Sequence, residues 1–288
     1  MAYIAAAVHL PAAFLHRVRP WIGAIAMLMA APAVHADLML FPTRIVFEKN
    51  QRAAQLELIN QGKTPETYRL SLVNRRMSET GEFAPADAPE PGERFADAMV
   101  RFSPRQVTIA PGSSQTVRML LRKPENLEPG EYRSHLQIDR LPDPEGGGSI
   151  EGANDPGRIG VTLTALVGAS IPVIVRQGDT HAVVRLTQLA LLPASAEPAS
   201  IAFEIDRSGD RSVYGDLVVT FTPRSGTPLE VAKAGGVAVY VPNALRRARM
   251  PLRLPEGVPL SGGTLRVTFR ERADAGGKVL AESTLAIP

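Results

Sequence analysis

One run of residues limits the possible folds more than any other part of this 288-residue chain. Between Ile159 and Val175 every second residue is apolar, namely Ile159, Val161, Leu163, Ala165, Val167, Ala169, Ile171, Val173 and Val175. A period of two is typical of a β-strand, because successive side chains point to opposite faces of a sheet. The run is also much longer than the usual strand of about five or six residues. It therefore predicts one unusually long strand.

The rest of the chain after Asp37 follows the same period. Shorter strand-like runs cover 55–58, 68–73, 114–121 and 132–141. Seven more cover 182–192, 201–206, 213–222, 237–241, 250–254, 265–270 and 278–287. Clusters rich in Gly and Pro separate these runs, and no stretch of ten residues after the first 36 has a helical period. Short strands at such spacing favour immunoglobulin-like β-sandwiches. We expect an all-β chain of two such domains, with the boundary near Gly178.

The first 36 residues predict a secretory signal peptide. Arg17 and Arg19 precede the apolar run 21–31, and small residues lead to Ala36, where we expect cleavage. An N-terminal anchor is the alternative, but the apolar run is shorter than the roughly 20 residues of a membrane span. The expected domains are thus 1–36, 37–178 and 179–288. We expect no stable membrane insertion, because no later segment is long and apolar enough.

The composition argues against most enzymes and cofactors. The chain has no Cys, and three of its five His residues lie in the first 36 residues, so only His135 and His181 remain. Disulfides, thiolate metal sites and cysteine nucleophiles are excluded, and we expect no metal and no other cofactor. The acidic residues of 142–158 do not fit a calcium loop. We therefore expect no catalytic residues, and we keep a β-sandwich hydrolase only as a third option.

The charge gives little support for nucleic-acid binding. The formal net charge is +3, and removal of the first 36 residues would take away Arg17 and Arg19 but no acidic residue. The sequence predicts no clustered basic face, whereas a nucleic-acid binding domain carries a basic patch or stripe. We therefore expect no nucleic acid among the partners.

An ordered set of short motifs resembles the periplasmic chaperones of chaperone–usher pilus assembly, most closely their archaic, Csu-like branch. The motifs are Phe41-Pro-Thr-Arg-Ile-Val-Phe47, Leu58-Ile-Asn-Gln-Gly62, Arg101-Phe-Ser-Pro-Arg-Gln-Val107, Gly130-Glu-Tyr-Arg-Ser-His-Leu136 and Ile171-Pro-Val-Ile-Val-Arg176. The resemblance covers most of the chain after residue 36 and is strongest over 41–176.

The resemblance implies two immunoglobulin-like domains in a boomerang arrangement, located in the periplasm. Such a chaperone binds, folds and caps pilus subunits by donor-strand complementation and delivers them to an outer-membrane usher. It lends a long edge strand to a subunit that lacks its last strand. The donor strand here would be 159–175, with Ile159, Val161, Leu163, Ala165 and Val167 as the donor residues. The residues alone favour the alternative that these side chains face the protein's own core, as alternate apolar positions usually do.

The family also implies two charged sites. In the first, cations in the interdomain cleft hold the subunit's C-terminal carboxylate, and Arg44 matches the family's first-strand Arg. The usual second cation is a Lys at the position of Pro172, so Arg133 is our candidate replacement, with Arg101 as a weaker candidate and Arg105 equally weak. In the second site, Glu131, Arg176 and Asp274 match an interdomain ion network.

The main alternative is a structural pilus subunit or adhesin built of immunoglobulin-like domains. Such a subunit presents a free N-terminal donor extension, whereas this chain is expected to enter a strand at Leu38 soon after cleavage. The sequence leaves open which pilus is served and whether the free protein self-associates through its exposed strands.

Overall fold

The structure is a computed structural model that describes residues 37–142, 168–194 and 198–288. In these residues the secondary structure consists of β-strands and two single-turn 3-10 helices, at Asp97–Met99 and Ala273–Ala275. The prediction of an all-β chain is confirmed.

Eleven strands belong to the first half of the described chain: β1 Leu38–Phe41, β2 Ile45–Phe47, β3 Ala53–Asn60, β4 Glu66–Val73, β5 Arg75–Met77, β6 Phe83–Pro85, β7 Val100–Ser103, β8 Gln106–Ile109, β9 Ser114–Leu121, β10 Gly130–Arg140 and β11 Gly168–Gln177. Seven strands follow: β12 Ala182–Leu192, β13 Ser200–Gly209, β14 Val213–Pro223, β15 Leu229–Val239, β16 Leu245–Pro251, β17 Gly263–Glu271 and β18 Val279–Ile287.

The first β-sandwich packs a four-stranded sheet, ordered β1-β3-β9-β7, against a five-stranded sheet, ordered β2-β11-β10-β4-β8. Alternate side chains of each strand meet between the sheets, as the period of two requires. The fully buried side chains there include Phe47, Leu56, Leu58, Met119, Leu136 and Ile138. Strands β5 and β6 form a separate two-stranded hairpin.

The second β-sandwich packs the sheet β12-β13-β16 against the sheet β15-β14-β17-β18. Its core holds, among others, Ile201, Ile205, Leu217, Phe221, Val267 and Phe269. The change from one sandwich to the other falls between β11, which ends at Gln177, and β12, which begins at Ala182. The boomerang arrangement stays a prediction.

Strand β11 has apolar side chains on both faces, and the two faces meet different cores. Ile171, Val173 and Val175 pack into the core of the first sandwich. Ile174 points the other way and belongs to the buried cluster of the second sandwich, together with Val46. The place of Ile174 in the second core shows that the five-stranded sheet is covered on both faces at β11.

Several predictions concern residues outside the described part of the chain. These are the signal peptide 1–36, the loop 143–158 and the donor residues Ile159, Val161, Leu163, Ala165 and Val167. Among the described residues there is no helix with the length and apolar character of a membrane span.

Candidate functional site

The candidate site lies where the outer face of the five-stranded sheet meets the second sandwich. On β10 the side chains of Glu131, Arg133 and His135 share this face, because alternate residues of a strand point the same way. All three residues are buried. A cleft of about 820 Å³ is lined by residues of both sandwiches, including Arg44, Arg176 and Tyr214.

The strand register explains which residues become neighbours. Glu131 is paired with Arg176, and His135 with Pro172, across β10 and β11. On the other side of β11, Val173 is paired with Ile45 of β2. Because β2 runs parallel to β11, Arg44, one residue before Ile45, comes alongside Pro172.

Within the part of the chain that the structure describes, no carboxylate pairs with the guanidinium group of Arg44. Its Nε and Nη2 atoms are buried and have no hydrogen-bond partner, and its guanidinium carbon lies 4.8 Å from the centre of the Tyr214 ring. Burial lowers the pKa of Arg44, but a guanidinium keeps its charge in proteins. Two nitrogen atoms of this cation are thus buried, and its guanidinium group packs against the ring of Tyr214.

Arg133, like Arg44, has a buried guanidinium nitrogen without a partner among the described residues and contacts a tyrosine ring. It is 8% exposed, its Nη1 atom is buried and without a partner, and its guanidinium carbon lies 4.4 Å from the centre of the Tyr240 ring. Burial lowers its pKa, and the positive charge of Arg44 also acts to lower it. Arg133 is paired with Ile174 of β11, and Arg44 comes alongside Pro172 of the same strand, so the two guanidinium groups lie on the same face of the sheet.

Two arginines on one face of the sheet, each with buried guanidinium nitrogens that have no partner among the described residues, favour an anionic ligand. An unpaired buried charge is costly, and a carboxylate that accepts hydrogen bonds from guanidinium groups offsets this cost. Pro172 has no charge to offer, so the positive charge of the site comes from the strands on either side of it. The two tyrosines belong to the second sandwich and had no signal in the sequence.

Arg101 is placed differently. It is exposed on β7, and its Nη1 atom donates hydrogen bonds to the carbonyl oxygens of Ala98 and Val100, at 3.1 Å each. Its neighbour across the sheet is Leu120 of β9. In the described residues no contact joins it to Arg44 or Arg133, so the structure does not bring this candidate to the site.

The side chains of Glu131 and Arg176 meet as the resemblance implies. Arg176 Nε donates to Glu131 Oε2 at 3.0 Å. The same carboxylate accepts a hydrogen bond from the backbone N–H of Ser212 at 3.1 Å and another from the hydroxyl group of Ser212. Ser212 precedes β14 of the second sandwich, so Glu131 links the two sandwiches.

Asp274 does not join this pair in the structure. Its side chain is 77% exposed, and it faces Arg272 at 3.7 Å between Oδ1 and Nε. The second carboxylate on Arg176 comes instead from Glu48, which also lies 3.5 Å from Nη2 of Arg211. Glu48 is two residues beyond Val46, so strand parity could have identified it as a neighbour of this face.

His135 and Arg75 each have one further side-chain nitrogen atom that lacks a hydrogen-bond partner in the described part of the chain. Nδ1 of His135 and Nε of Arg75 are buried without hydrogen-bond partners. Burial, reinforced by the charges of Arg133 and Arg75, lowers the pKa of His135 to about 3. His135 is therefore neutral at ordinary pH, and it shares the parity of Arg133. Arg75 had no signal in the sequence, because it follows the end of β4.

The open edge of β11 is the second component of the site. Strand β2 pairs only with Val173–Val175, so on that side of β11 the described residues place no strand along 168–172. Gly168 and Ser170 are exposed there. The described residues contain no group of acidic and His side chains that could hold a metal ion.

The chain matches no protein-family model, and it matches none of the curated proteins. Solved structures similar to it include the CupB2 chaperone of Pseudomonas aeruginosa, at 13% identity and a TM-score of 0.45 over 87% of this chain and 100% of that one. The YadV chaperone has 13% identity and a TM-score of 0.43 over 88% of this chain and all of its own.

A third similar structure is the CsuC–CsuE chaperone–tip adhesion subunit pre-assembly complex from archaic chaperone–usher Csu pili of Acinetobacter baumannii. The identity is 12% and the TM-score 0.43, over 87% of this chain and 97% of that one. TM-scores of 0.43 to 0.45 do not establish a function for this chain.

Proposed function

We propose that this chain is a periplasmic chaperone of pilus assembly. It binds, folds and caps pilus subunits by lending them the edge of β11, and it delivers them to an outer-membrane usher. The observation that carries the proposal is that the open edge of β11 ends at Arg44, a cation with two buried nitrogen atoms and no carboxylate partner among the described residues.

The edge supplies the first half of the interaction. An unpaired strand offers a row of backbone N–H and C=O groups that another chain can pair with. A guest strand beside 168–172 would lie on the side of β11 that β2 occupies from Val173 onward. It would continue the line of β2, and the sheet would gain a strand without any change in its own pairing.

The cations supply the second half and set the direction of the guest. A guest strand whose C-terminal carboxylate reaches Arg44 has its last residue near Pro172. It must then run parallel to β11, because β11 reaches Pro172 from Gly168. Arg133 provides the second positive charge from β10. The positive charges thus recognise the C-terminal carboxylate of the guest. The hydrogen bonds between the two backbones do not depend on the guest's sequence.

The donor residues would fill the guest's core. Ile159, Val161, Leu163, Ala165 and Val167 share the parity of Ile171 and Val173, whose side chains are buried in the first core. If the strand continues in the same register, these side chains extend that apolar row toward the guest. The mechanism is stoichiometric binding that needs no catalytic residue and no cofactor, and the guest leaves when a neighbouring subunit's strand replaces β11.

Co-expression with a candidate pilus subunit tests this function. We expect the wild-type chain to yield a soluble one-to-one complex in the periplasm, and Leu163→Glu to yield none while the chaperone itself stays folded. Leu120→Glu is the matched control, because Leu120 is 52% exposed on β9, away from the β11 edge. Equal recovery of the subunit with both variants would contradict the assignment of the donor strand.

A further inference from the structure

A cluster of unpartnered nitrogen atoms lies on the sheet next to the proposed carboxylate anchor. We name Arg75, Arg133 and His135 the inner cluster. Each has a buried side-chain nitrogen without a hydrogen-bond partner: Nε of Arg75, Nη1 of Arg133 and Nδ1 of His135. The remaining buried side-chain nitrogen or oxygen atoms without a partner in the described residues belong to Arg44. Unpartnered buried groups of this kind are rare in folded proteins.

The backbone brings the three side chains of the inner cluster together. Arg133 and His135 are two residues apart on β10 and therefore neighbours on one face. Val73 of β4 is paired with His135, and Arg75 follows two residues later, held by a hydrogen bond from its Nη2 to Oε1 of Gln137 at 2.8 Å. The charges of both arginines act on the imidazole of His135, so the three groups form one electrostatic unit.

The acidic groups near the inner cluster are already committed to other cations. Glu93 accepts hydrogen bonds from Nε and Nη2 of Arg76, at 2.9 and 2.6 Å. Glu131 is bonded to Arg176 and Ser212. The two guanidinium charges of the cluster are therefore not balanced by a carboxylate of their own, although His135 is only 3% exposed and Arg133 only 8%.

Aromatic rings separate the inner cluster from solvent. The ring of Phe83 lies edge-on to that of His135, with 5.1 Å between the ring centres, and the ring of Tyr240 lies 6.5 Å from His135 and beneath Arg133. Phe83 is 41% exposed at the surface. The rings lower the local dielectric constant, which strengthens the attraction between these cations and any anion that enters.

We propose that the inner cluster binds one small inorganic oxyanion of the phosphate or sulfate type. A tetrahedral dianion matches the two arginine charges and offers separate oxygen atoms to donors that arrive from β5 and from two positions of β10. The imidazole contributes Nδ1 as a donor in the tautomer that carries its proton there. This site goes beyond the proposed function; it shares Arg133 with the proposed carboxylate anchor, and its test uses the free chain without a guest.

Calorimetric titration of the folded chain with inorganic phosphate tests the site directly. The protein is first dialysed into a buffer whose anions are bulky and organic, and the ionic strength is kept constant. We expect one saturable phosphate site per chain. Heat that shows no saturation, or no heat beyond dilution, would overturn the proposal, because ordered water would then satisfy the cluster.

Variants locate the bound phosphate. Arg75→Gln and His135→Gln should each weaken the phosphate Kd by about tenfold, which is the effect expected for loss of one charge-assisted hydrogen bond. Arg101→Gln is the matched control, because it removes one arginine charge from an exposed position of the same sandwich. If all three variants bind phosphate as the wild-type chain does, the anion lies elsewhere and the proposal is wrong. Circular dichroism shows which variants are folded, and the wild-type titration is decisive by itself if a variant is not.

Discussion

The Nε atom of Arg176 donates a hydrogen bond to Oε2 of Glu131 at 3.0 Å, and both side chains are buried. The two residues are direct register partners across β10 and β11. Because the same carboxylate also accepts the backbone N–H of Ser212, this ion pair joins the first sandwich to the second. A buried pair of this kind fixes geometry more than it adds stability.

Removing one partner of this pair should destabilise the fold strongly. In Glu131→Gln the guanidinium of Arg176 loses its buried carboxylate partner and keeps only the part-exposed Glu48. We expect the free energy of unfolding to fall by about 3 kcal/mol. Urea denaturation measures the change. Asp274→Asn is the control, since this carboxylate is 77% exposed and its removal should change little. Similar losses for both variants would show that the network includes Asp274 after all.

Arg133 should lower the stability of the free chain and raise its affinity for the guest. Arg133→Met removes a buried charge that has no anionic partner among the described residues, which stabilises the fold. It also removes a cation–π contact to Tyr240, which offsets part of this gain. We expect the free energy of unfolding to rise by about 1 kcal/mol, while recovery of the co-expressed subunit falls. A loss of stability together with normal subunit capture would show that Arg133 is a structural residue.

Met77 should stabilise the second sandwich although it belongs to the hairpin β5–β6. It is 2% exposed and packs in the second core, and its carbonyl oxygen accepts a hydrogen bond from Nδ2 of Asn243 at 2.8 Å. Met77→Ala should cost about 3 kcal/mol through the cavity it creates. Met39→Ala, at an exposed position of β1, is the matched control. Equal thermal midpoints for the two variants would contradict this packing.

His135 should make the fold sensitive to acid. Its pKa is lowered to about 3 by burial and by the nearby arginines, whereas an unfolded His has a pKa of about 6.5. As the pH falls, the imidazole is therefore protonated in the unfolded chain before it is protonated in the folded chain. The free energy of unfolding decreases between about pH 6.5 and pH 3, by up to about 1.4 kcal/mol per pH unit.

The acid sensitivity can be assigned to one residue. Between pH 6.5 and 5, few carboxylates titrate, and His135→Phe should flatten the dependence of the unfolding free energy on pH. His181→Phe, in which an exposed imidazole near Asp210 is removed, should leave the slope of the wild-type chain. If His135→Phe keeps the full slope, the buried imidazole is not its cause.

The strands were largely predictable because most of them carry the period of two. The expected runs 114–121 and 182–192 coincide with β9 and β12. Strand β15 was predicted only in its last part, because its first part contains Gly235, Gly236 and alanines, which give no apolar alternation. Strand β16 begins at Leu245, where arginines hide the pattern.

The site was predictable only where strand parity or a family motif applied. Arg44, Arg133 and the Glu131–Arg176 pair came from these sources. Tyr214, Tyr240 and Arg75 were missed, since each reaches the site through the packing of the second sandwich or of the hairpin, and no local pattern records such contacts. The exposed Asp274 matched a short motif, but its contact depends on the path of the link after β17.

Hydrogen exchange of the purified complex tests strand donation most directly. A one-to-one complex with a pilus subunit is compared with the free chain, and exchange is followed in peptides that cover residues 159–172. We predict much slower amide exchange in these peptides upon binding, and the slower exchange should be lost for a subunit whose C-terminal carboxylate is extended by further residues. A soluble complex in which this segment exchanges as fast as in the free chain would contradict the claim that β11 lends its edge.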